Sequence, residues 1–312
     1  MRIVFFGTPE LAVPSLAALA GRHAVAAVVC QPDKPQGRSA KLVPPPAKVW
    51  ADGHGIPVVQ PTKLNDGTFE AWLRQQAPDL CALAAYGRIL KQPILNVPRH
   101  GFLNVHPSLL PKLRGPSPIQ TALLQGLTAT GVTIMRLDAG MDTGDILLQE
   151  EAAIAPDDTT ASLMERLARQ GADMLLRAIE LVESGAAVFT PQDHAQATVS
   201  RMYSKDDGRI QWASSAADIH NLVRAAVPWP VAHCLFRGEI HRIHRTAVLN
   251  ETAEAAPGTI VRVEKDRLVT ATGNGLLAIL EIQRPGKRAM SVREFLLGCR
   301  VADGEAFSDC AS

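Results

Sequence analysis

The chain opens by alternating short apolar runs with helix-like stretches, and few folds accept that pattern. Residues 2–7, 24–30, 57–59, 79–85, 101–105 and 131–137 read as strands. Helical segments at 9–20, 49–53, 67–76 and 118–126 separate them. Strands that are apolar throughout are buried on both faces. Strands joined through helices pair in parallel with right-handed crossovers. The expected class is therefore α/β: a Rossmann-like, doubly wound parallel sheet. A long amphipathic helix at 157–183 ends this domain, with Asp157 or Asp158 as its cap and Gly185 as its stop.

One stretch interrupts the alternation. Residues 31–48 hold five prolines, one glycine and four cations (Lys34, Arg38, Lys41 and Lys48) against a single acid, Asp33. Proline disfavours helix and cannot donate to a ladder, so the segment reads as a long basic surface loop. Beyond residue 186 the texture changes. Residues 187–204 are polar and irregular and read as a linker, most plainly at 189–199. From 205 to 312 a helix at 213–226 precedes short strands at 231–236, 239–248, 258–263, 268–271 and 276–282. Closely spaced strands with turn signals imply a small OB-like β-barrel.

Composition excludes several classes. No apolar run reaches membrane-spanning length, and the amino terminus lacks a signal h-region and cleavage site. The net charge of +1 announces no nucleic-acid partner, and residues 201–312 carry only fifteen Lys and Arg against thirteen Asp and Glu. The five cysteines are odd in number and show no C-x-x-C spacing, which points to a reducing, cytoplasmic setting without a disulfide framework or zinc site. Gly273-Asn274-Gly275 with Ala278 mimics a dinucleotide fingerprint, but it lies between two short strands and reads as a hairpin turn. His241 and His244, three apart on a strand, point to opposite faces. Arg237, Arg242 and Arg245 form a modest basic cluster, more often a solvated strand than a binding patch.

Two segments carry candidate chemistry. In residues 101–111, GFLNVHPSLLP, Asn104 and His106 stand two apart on a strand and project together at its carboxyl end. Ligands of open α/β sheets bind at that end. An amide donor beside an imidazole is equipment for acyl transfer; a polar strand end with a satisfied histidine is the equal alternative. In residues 131–147 a strand runs into a loop bearing Asp138, Asp142 and Asp145. Spacing alone favours an Asp/Gly-rich turn over a metal site.

Asn104-Val105-His106-Pro107-Ser108-Leu109-Leu110-Pro111, followed by Asp142-Thr143-Gly144-Asp145, resembles the formyltransferase superfamily that uses 10-formyltetrahydrofolate. The resemblance implies a catalytic set of Asn104, His106 and Asp142. It implies a pterin pocket lined by Ala85, Tyr86, Gly87, Arg88, Ile89 and Leu90, and a folate-binding segment of Ser108, Leu109, Leu110 and Pro111. Phe6-Gly7-Thr8-Pro9, the PDKPQGR stretch at 32–38 with Lys41 and Pro44-Pro45-Pro46, Ser204-Lys205-Asp206 with Ile210 and Trp212, and Pro228-Trp229-Pro230 are similar to the branch acting on initiator methionyl-tRNA. In that branch the basic loop, with Arg38 and Lys41 as its matched cations, contacts the tRNA acceptor end, and the barrel helps grip tRNA. Ala40, Gln211 and Val227 depart from its pattern, none within the catalytic set.

The implied chemistry is attack of the methionyl amine on the formyl carbon. Asn104 donates to the oxyanion, His106 stabilises charge and moves protons, and Asp142, in hydrogen-bond reach, holds the imidazole and favours its charged form. The folate is a consumed co-substrate, no metal is required, and the protein is expected to act as a monomer. Two rivals share the fold. A glycinamide ribonucleotide enzyme lacks a second domain, and an amino-sugar nucleotide enzyme lacks the PDKPQGR-type loop. A folate- or tRNA-binding protein without catalysis is opposed by the intact Asn104, His106 and Asp142 set.

Overall fold

The computed structural model describes residues 1–36 and 41–310, so Arg38 and Ala40 lie outside the described residues. The elements run β1 (Arg2–Gly7), α1 (Val13–Ala20), β2 (Ala24–Val29), β3 (Lys34–Gln36), β4 (Lys41–Val43), α2 (Pro46–Gly53), β5 (Val58–Val59), α3 (Thr68–Gln76), β6 (Leu80–Ala84), α4 (Gln92–Leu95), β7 (Phe102–His106), α5 (Pro118–Leu124), β8 (Ala129–Arg136), β9 (Ile146–Ala153) and α6 (Thr160–Glu183). There follow α7 (Ala216–Ala226), β10 (Ala232–Phe236), β11 (Glu239–Leu249), β12 (Ile260–Val263), β13 (Leu268–Ala271), β14 (Leu276–Gln283), β15 (Ala289–Ser291), α8 (Val292–Gly298) and β16 (Phe307–Ser308). Two compact units result: Met1–Pro118, Ala129–Ala153 and Met164–Arg201 form the first, and Ile119–Thr128, Ile154–Leu163 and Met202–Ser312 the second.

The first unit is built on a seven-stranded sheet in the order β5-β2-β1-β6-β7-β8-β9. β5 through β7 are parallel, as the sequence predicts, and β6 and β7 are buried at every residue. The core on one side joins Phe6, Phe69, Tyr86 and Phe102, whose rings meet edge-on around Phe6 at 5.2–6.1 Å. Offset and edge-on rings add packing energy beyond their buried area. The sheet is not wholly parallel: β8 runs antiparallel to β7, and β9 antiparallel to β8. The link from β8 to β9 is too short for a crossover helix, so those two strands must pair antiparallel. Alternation of exposed and half-buried residues marks β9 as a polar edge strand, and its period is why it escapes a search for apolar runs.

The stretch at 31–48 differs from a featureless loop. β3 pairs antiparallel with β4 as a separate hairpin, with Lys34 opposite Val43 and Gln36 opposite Lys41. α2 already starts at Pro46, capped by extended Pro45. Proline is at home in the first helical turn, where its missing N–H has no partner to lose. Lys48 is withdrawn from the basic set, because its ammonium pairs with Asp33 at 3.0 Å and bonds Gln60 at 3.0 Å.

In the second unit an antiparallel sheet runs β12-β13-β14-β11-β10-β16, with β15 on β14. It curls until its ends meet. Ile260 donates to the Glu305 carbonyl at 2.7 Å, Phe307 donates to the Gly258 carbonyl at 2.9 Å, and Thr259 bridges Ala306. This is the expected OB-like barrel. Only glycine fits at 258, where φ is +89° and a Cβ would sit 2.3 Å from the Phe307 oxygen. The 273–275 motif is the hairpin between β13 and β14. His241 is buried against Phe236 and Phe295, whereas His244 bonds Gln283. Arg237 is tied to Glu305, so it is no free member of a basic patch. Ile210 and Trp212 are buried core, while Trp229 is 55% exposed.

Candidate active site

β1, β6 and β7 are neighbours with a common direction, and their register sets Gly7 beside Ala84 and Ala84 beside Val105. The chain therefore leaves all three strands at one edge of the sheet, and β2 ends there as well. Three predicted segments converge by this rule: Ala85–Leu90 after β6, Pro107–Pro111 after β7, and the β3–β4 hairpin carrying Lys41 after β2.

The end of β7 supplies Asn104 and His106, 5% and 4% exposed. Among the described residues the Asn104 carboxamide has no hydrogen-bond partner, yet its polar atoms are not sealed from solvent. An amide held in a nearly closed site with its donors unspent is preorganised for an incoming oxygen. His106 is gripped on both sides: Nε2 lies 3.1 Å from the Leu113 carbonyl and Nδ1 lies 3.7 Å from Asp142 Oδ2. The second distance is ion-pair range and longer than the hydrogen bond expected from the sequence. The Asp142 carboxylate instead accepts from the Gly115 N–H at 2.8 Å.

Asp142 has φ +55°, a left-handed conformation that costs an L-residue about 1–2 kcal/mol. Hydrogen bonds to charged groups are worth about 1.5–3 kcal/mol each, so the Gly115 contact alone can offset that strain. Asp138 has another task. It accepts from Thr143 Oγ1 at 2.8 Å and from Gly140 N at 3.0 Å, closing the turn before the site. Gly144 is obligatory, since a Cβ there would lie 1.9 Å from the Arg136 oxygen. Among the described residues no group of three or more His, Cys, Asp or Glu could hold a metal ion.

Several matched binding residues turn out to build loops. Tyr86 is fully buried in the aromatic core, and burial pushes its phenol up to about 12. Arg88 turns back to the carbonyls of Pro61 and Thr62 at 2.7 and 3.0 Å. Ile89 is 75% exposed and Leu90 is buried. Ser108 and Leu110 are buried; Ser108 Oγ donates to the Lys112 carbonyl at 2.7 Å.

The supports of these loops were invisible in the sequence. Thr8 Oγ1 and Gln31 Nε2 both donate to the Tyr86 carbonyl, at 3.1 and 2.9 Å. Thr133, opposite His106 on β8, donates to the Ser108 carbonyl at 2.6 Å and accepts from Leu110 N at 3.2 Å and Gln149 Nε2 at 2.9 Å. The segment read as a linker is also structural through Arg201. Arg114 N donates to the Thr198 carbonyl at 2.9 Å and Ser200 N to the Arg114 carbonyl at 2.7 Å. Lone Thr, Gln and Ser residues carry no pattern that separates such supports from solvated side chains.

A strand-end amide and imidazole, with an aspartate brought up by a neighbouring loop, form the candidate group-transfer site. Residues 1–179 match the formyl transferase family model and residues 202–300 match its C-terminal domain model, so the chain belongs to the formyl transferase family. A methionyl-tRNA formyltransferase of Acetivibrio thermocellus is 47% identical over 98% of this chain and 99% of its own length. Its counterpart in Desulfotalea psychrophila is 46% identical over 96% and 94%. Within the family, the chain falls among the methionyl-tRNA formyltransferases. WlaRD, a sugar 3N-formyl transferase solved in the presence of dTDP and 5-N-formyl-THF, aligns with a TM-score of 0.66 at 19% identity, over 92% of this chain and 99% of that one. That likeness is one of fold.

Proposed function

We propose that this protein moves the formyl group of 10-formyltetrahydrofolate onto the amino group of methionyl-tRNA, with Asn104, His106 and Asp142 as its catalytic set. The observation that carries the assignment is the unspent Asn104 carboxamide on the same strand face as His106. The methionyl nitrogen attacks the formyl carbon, and Asn104 donates to the resulting oxyanion. The proton lost by the amine ends on N10 of the folate as the old C–N bond breaks, and His106 stabilises the charge that develops between them. Asp142 holds the imidazole, reaching it by a contact that closes from 3.7 Å as the substrates bind. No step in this scheme calls for a metal.

The formyl donor is assigned to the sheet edge where 85–90 and 108–111 emerge. Exposed Ile89 offers a flat apolar contact to the pterin there. The tRNA is assigned to the 31–48 segment and the barrel. Directly opposed residues of an antiparallel pair share a face, so Lys34 and Lys41 lie on one face of the hairpin. Arg38, in the same segment, is assigned a phosphate contact by sequence alone. Exposed Trp229 offers a ring on which a base can stack. In this reading residues 1–186 are catalytic, 187–204 connect, and 205–312 bind tRNA; the protein works as a cytoplasmic monomer. The initiator species is the tRNA it serves.

A sugar-nucleotide acceptor is the competing reading, favoured by fold likeness alone. Labelled 10-formyltetrahydrofolate offered together with methionyl-tRNA and a dTDP-amino sugar separates the two. Label should appear in formylmethionine; label confined to the sugar refutes the proposal. Arg38→Ala should weaken methionyl-tRNA use, leave folate binding intact, and flatten the salt dependence of tRNA binding by about one unit of log slope.

A further inference from the structure

Three consecutive residues after the 108–111 segment each hold one part of the site. The Leu113 carbonyl faces His106 Nε2 at 3.1 Å, and the Gly115 N–H binds the Asp142 carboxylate at 2.8 Å. Between them the Arg114 guanidinium turns to Gln192, donating to Oε1 from Nε at 3.1 Å and from Nη2 at 2.7 Å. Arg114 and Gln192 are 7% and 6% exposed; Arg114 Nη2 also meets His194 Nδ1 at 3.0 Å, and among the described residues no carboxylate pairs with this cation. The other end of Gln192 donates from Nε2 to the carbonyls of Asp142, at 2.9 Å, and Gly144, at 2.7 Å.

Chemistry dictates which way this carboxamide points. A guanidinium only donates and a carbonyl only accepts. The side chain between them must accept at one end and donate twice at the other, across a gap that suits glutamine. Its donors seize the carbonyl of the residue whose φ is +55° and the carbonyl of Gly144 two residues on. They therefore set the direction in which the Asp142 carboxylate leaves its loop.

We propose that Gln192 is a positioning residue for formyl transfer: oriented by Arg114, it locks the left-handed Asp142 peptide and so aims the Asp142 carboxylate at His106. The inference rests on the role given to Asp142 under the proposed function. It explains why 190–200 is pinned beside Leu113 and Arg114, through Leu113 N to Thr198 Oγ1 at 2.8 Å and Arg114 N to the Thr198 carbonyl at 2.9 Å.

Gln192→Glu tests it. Glutamate keeps the volume and the Arg114 contact but turns the donor end into an acceptor facing two carbonyls. Misplacement by about 1 Å costs up to ~100-fold in rate, so kcat should fall about 10–100-fold. KM for both substrates should stay within about twofold, and the protein should remain folded. The second arm combines it with Asp142→Asn. Groups acting as one unit are non-additive, so in the Asp142→Asn background Gln192→Glu should lower kcat less than about twofold. Wild-type kcat in Gln192→Glu, a loss confined to KM, or a full multiplicative loss in the double variant overturns the inference. Wild-type kcat in Asp142→Asn alone overturns the role of Asp142 itself, a distinguishable result. Should Gln192→Glu fail to fold, Arg114→Lys carries the test. Lysine keeps the charge while removing the fork that orients the carboxamide, and the same kcat loss with unchanged KM is expected; unchanged kcat overturns the inference.

Discussion

Replacing Gly171 by alanine should destabilise the protein and slow it, although alanine is the better helix former. Gly171 lies mid-way along α6, buried against the sheet. A Cβ there would stand 2.5 Å from Val105 Cγ1 and 3.5 Å from Val132 Cγ1. Carbon atoms pack best at about 3.5–4.0 Å, so the first contact is more than about 1 Å too close. Val105 cannot swing aside freely, because a β-branched side chain has few χ1 choices. Overpacking typically costs about 1–3 kcal/mol, and a contact this short belongs to the upper part of that range. Exchanging glycine for alanine in a helix returns about 1 kcal/mol. The net expectation is a loss of about 1–2 kcal/mol. Val105 separates Asn104 from His106, so any retreat of β7 moves both, and kcat should fall about tenfold or more. Urea unfolding and steady-state kinetics measure the two effects. The companion background is Val105→Ala, which removes Cγ1 and leaves the Val105 Cβ at 3.9 Å from the new methyl, an ordinary contact. There alanine at 171 should be neutral or stabilising by up to about 1 kcal/mol, so the sign inverts. Stabilisation by Gly171→Ala in the wild-type background, with full turnover, would refute the reasoning.

Asn104→Ala should cut kcat by about 10²–10³-fold. Among the described residues its amide has no partner to lose, so the urea midpoint should not fall; a normal rate removes the oxyanion role. Thr133→Val should cost about 1–3 kcal/mol by stranding its Ser108, Leu110 and Gln149 partners, and should raise KM for the formyl donor more than for tRNA. Equal KM values in variant and wild type would separate Thr133 from the folate segment. Burial, reinforced by Arg224, holds the His220 imidazole below its usual value of 6.5. The neutral ring belongs to the fold, so its contribution is complete above about pH 6.5 and is lost as pH falls through the depressed folded value. Urea midpoints measured from pH 7.5 to 5 should therefore drop more in the wild type than in His220→Gln, and parallel profiles would show that His220 is not the titrating group.

Much of this protein is written in local patterns. Continuous apolar runs announce β1, β2, β6 and β7, because a strand covered on both faces has no polar side. Gly185 is legible as the stop of α6 for a related reason: at φ +72° it lets the Ala186 N–H reach the Leu181 carbonyl at 2.9 Å, which few other residues allow. The start of the same helix misleads. Two aspartates look like caps, yet Thr159 Oγ1 accepts from Ser162 N at 3.3 Å, while Asp158 accepts from the Ala155 N–H at 2.7 Å. Neighbouring polar side chains compete for the same few donors, and only the backbone path decides between them. The proline-rich segment misleads in the opposite direction. Its prolines keep out of the way, Pro35 within a two-stranded hairpin and Pro46 in a first helical turn, where a missing N–H costs little.

The sequence alone determined the two-part architecture, the strand bearing Asn104 and His106, and the edge of the sheet where they lie. Those follow from periods of two and 3.6 residues, which depend on neighbours in the chain. The tertiary structure alone decided the reversal of β8, the supports Thr8, Gln31 and Thr133, and the brace from Arg114 through Gln192 to Asp142. Gln192 lies 50 positions from Asp142 and 78 from Arg114. A hydrogen bond across such a distance leaves no periodicity behind, because its geometry is fixed by where the folded backbone brings two polar groups together and by nothing in the residues beside them.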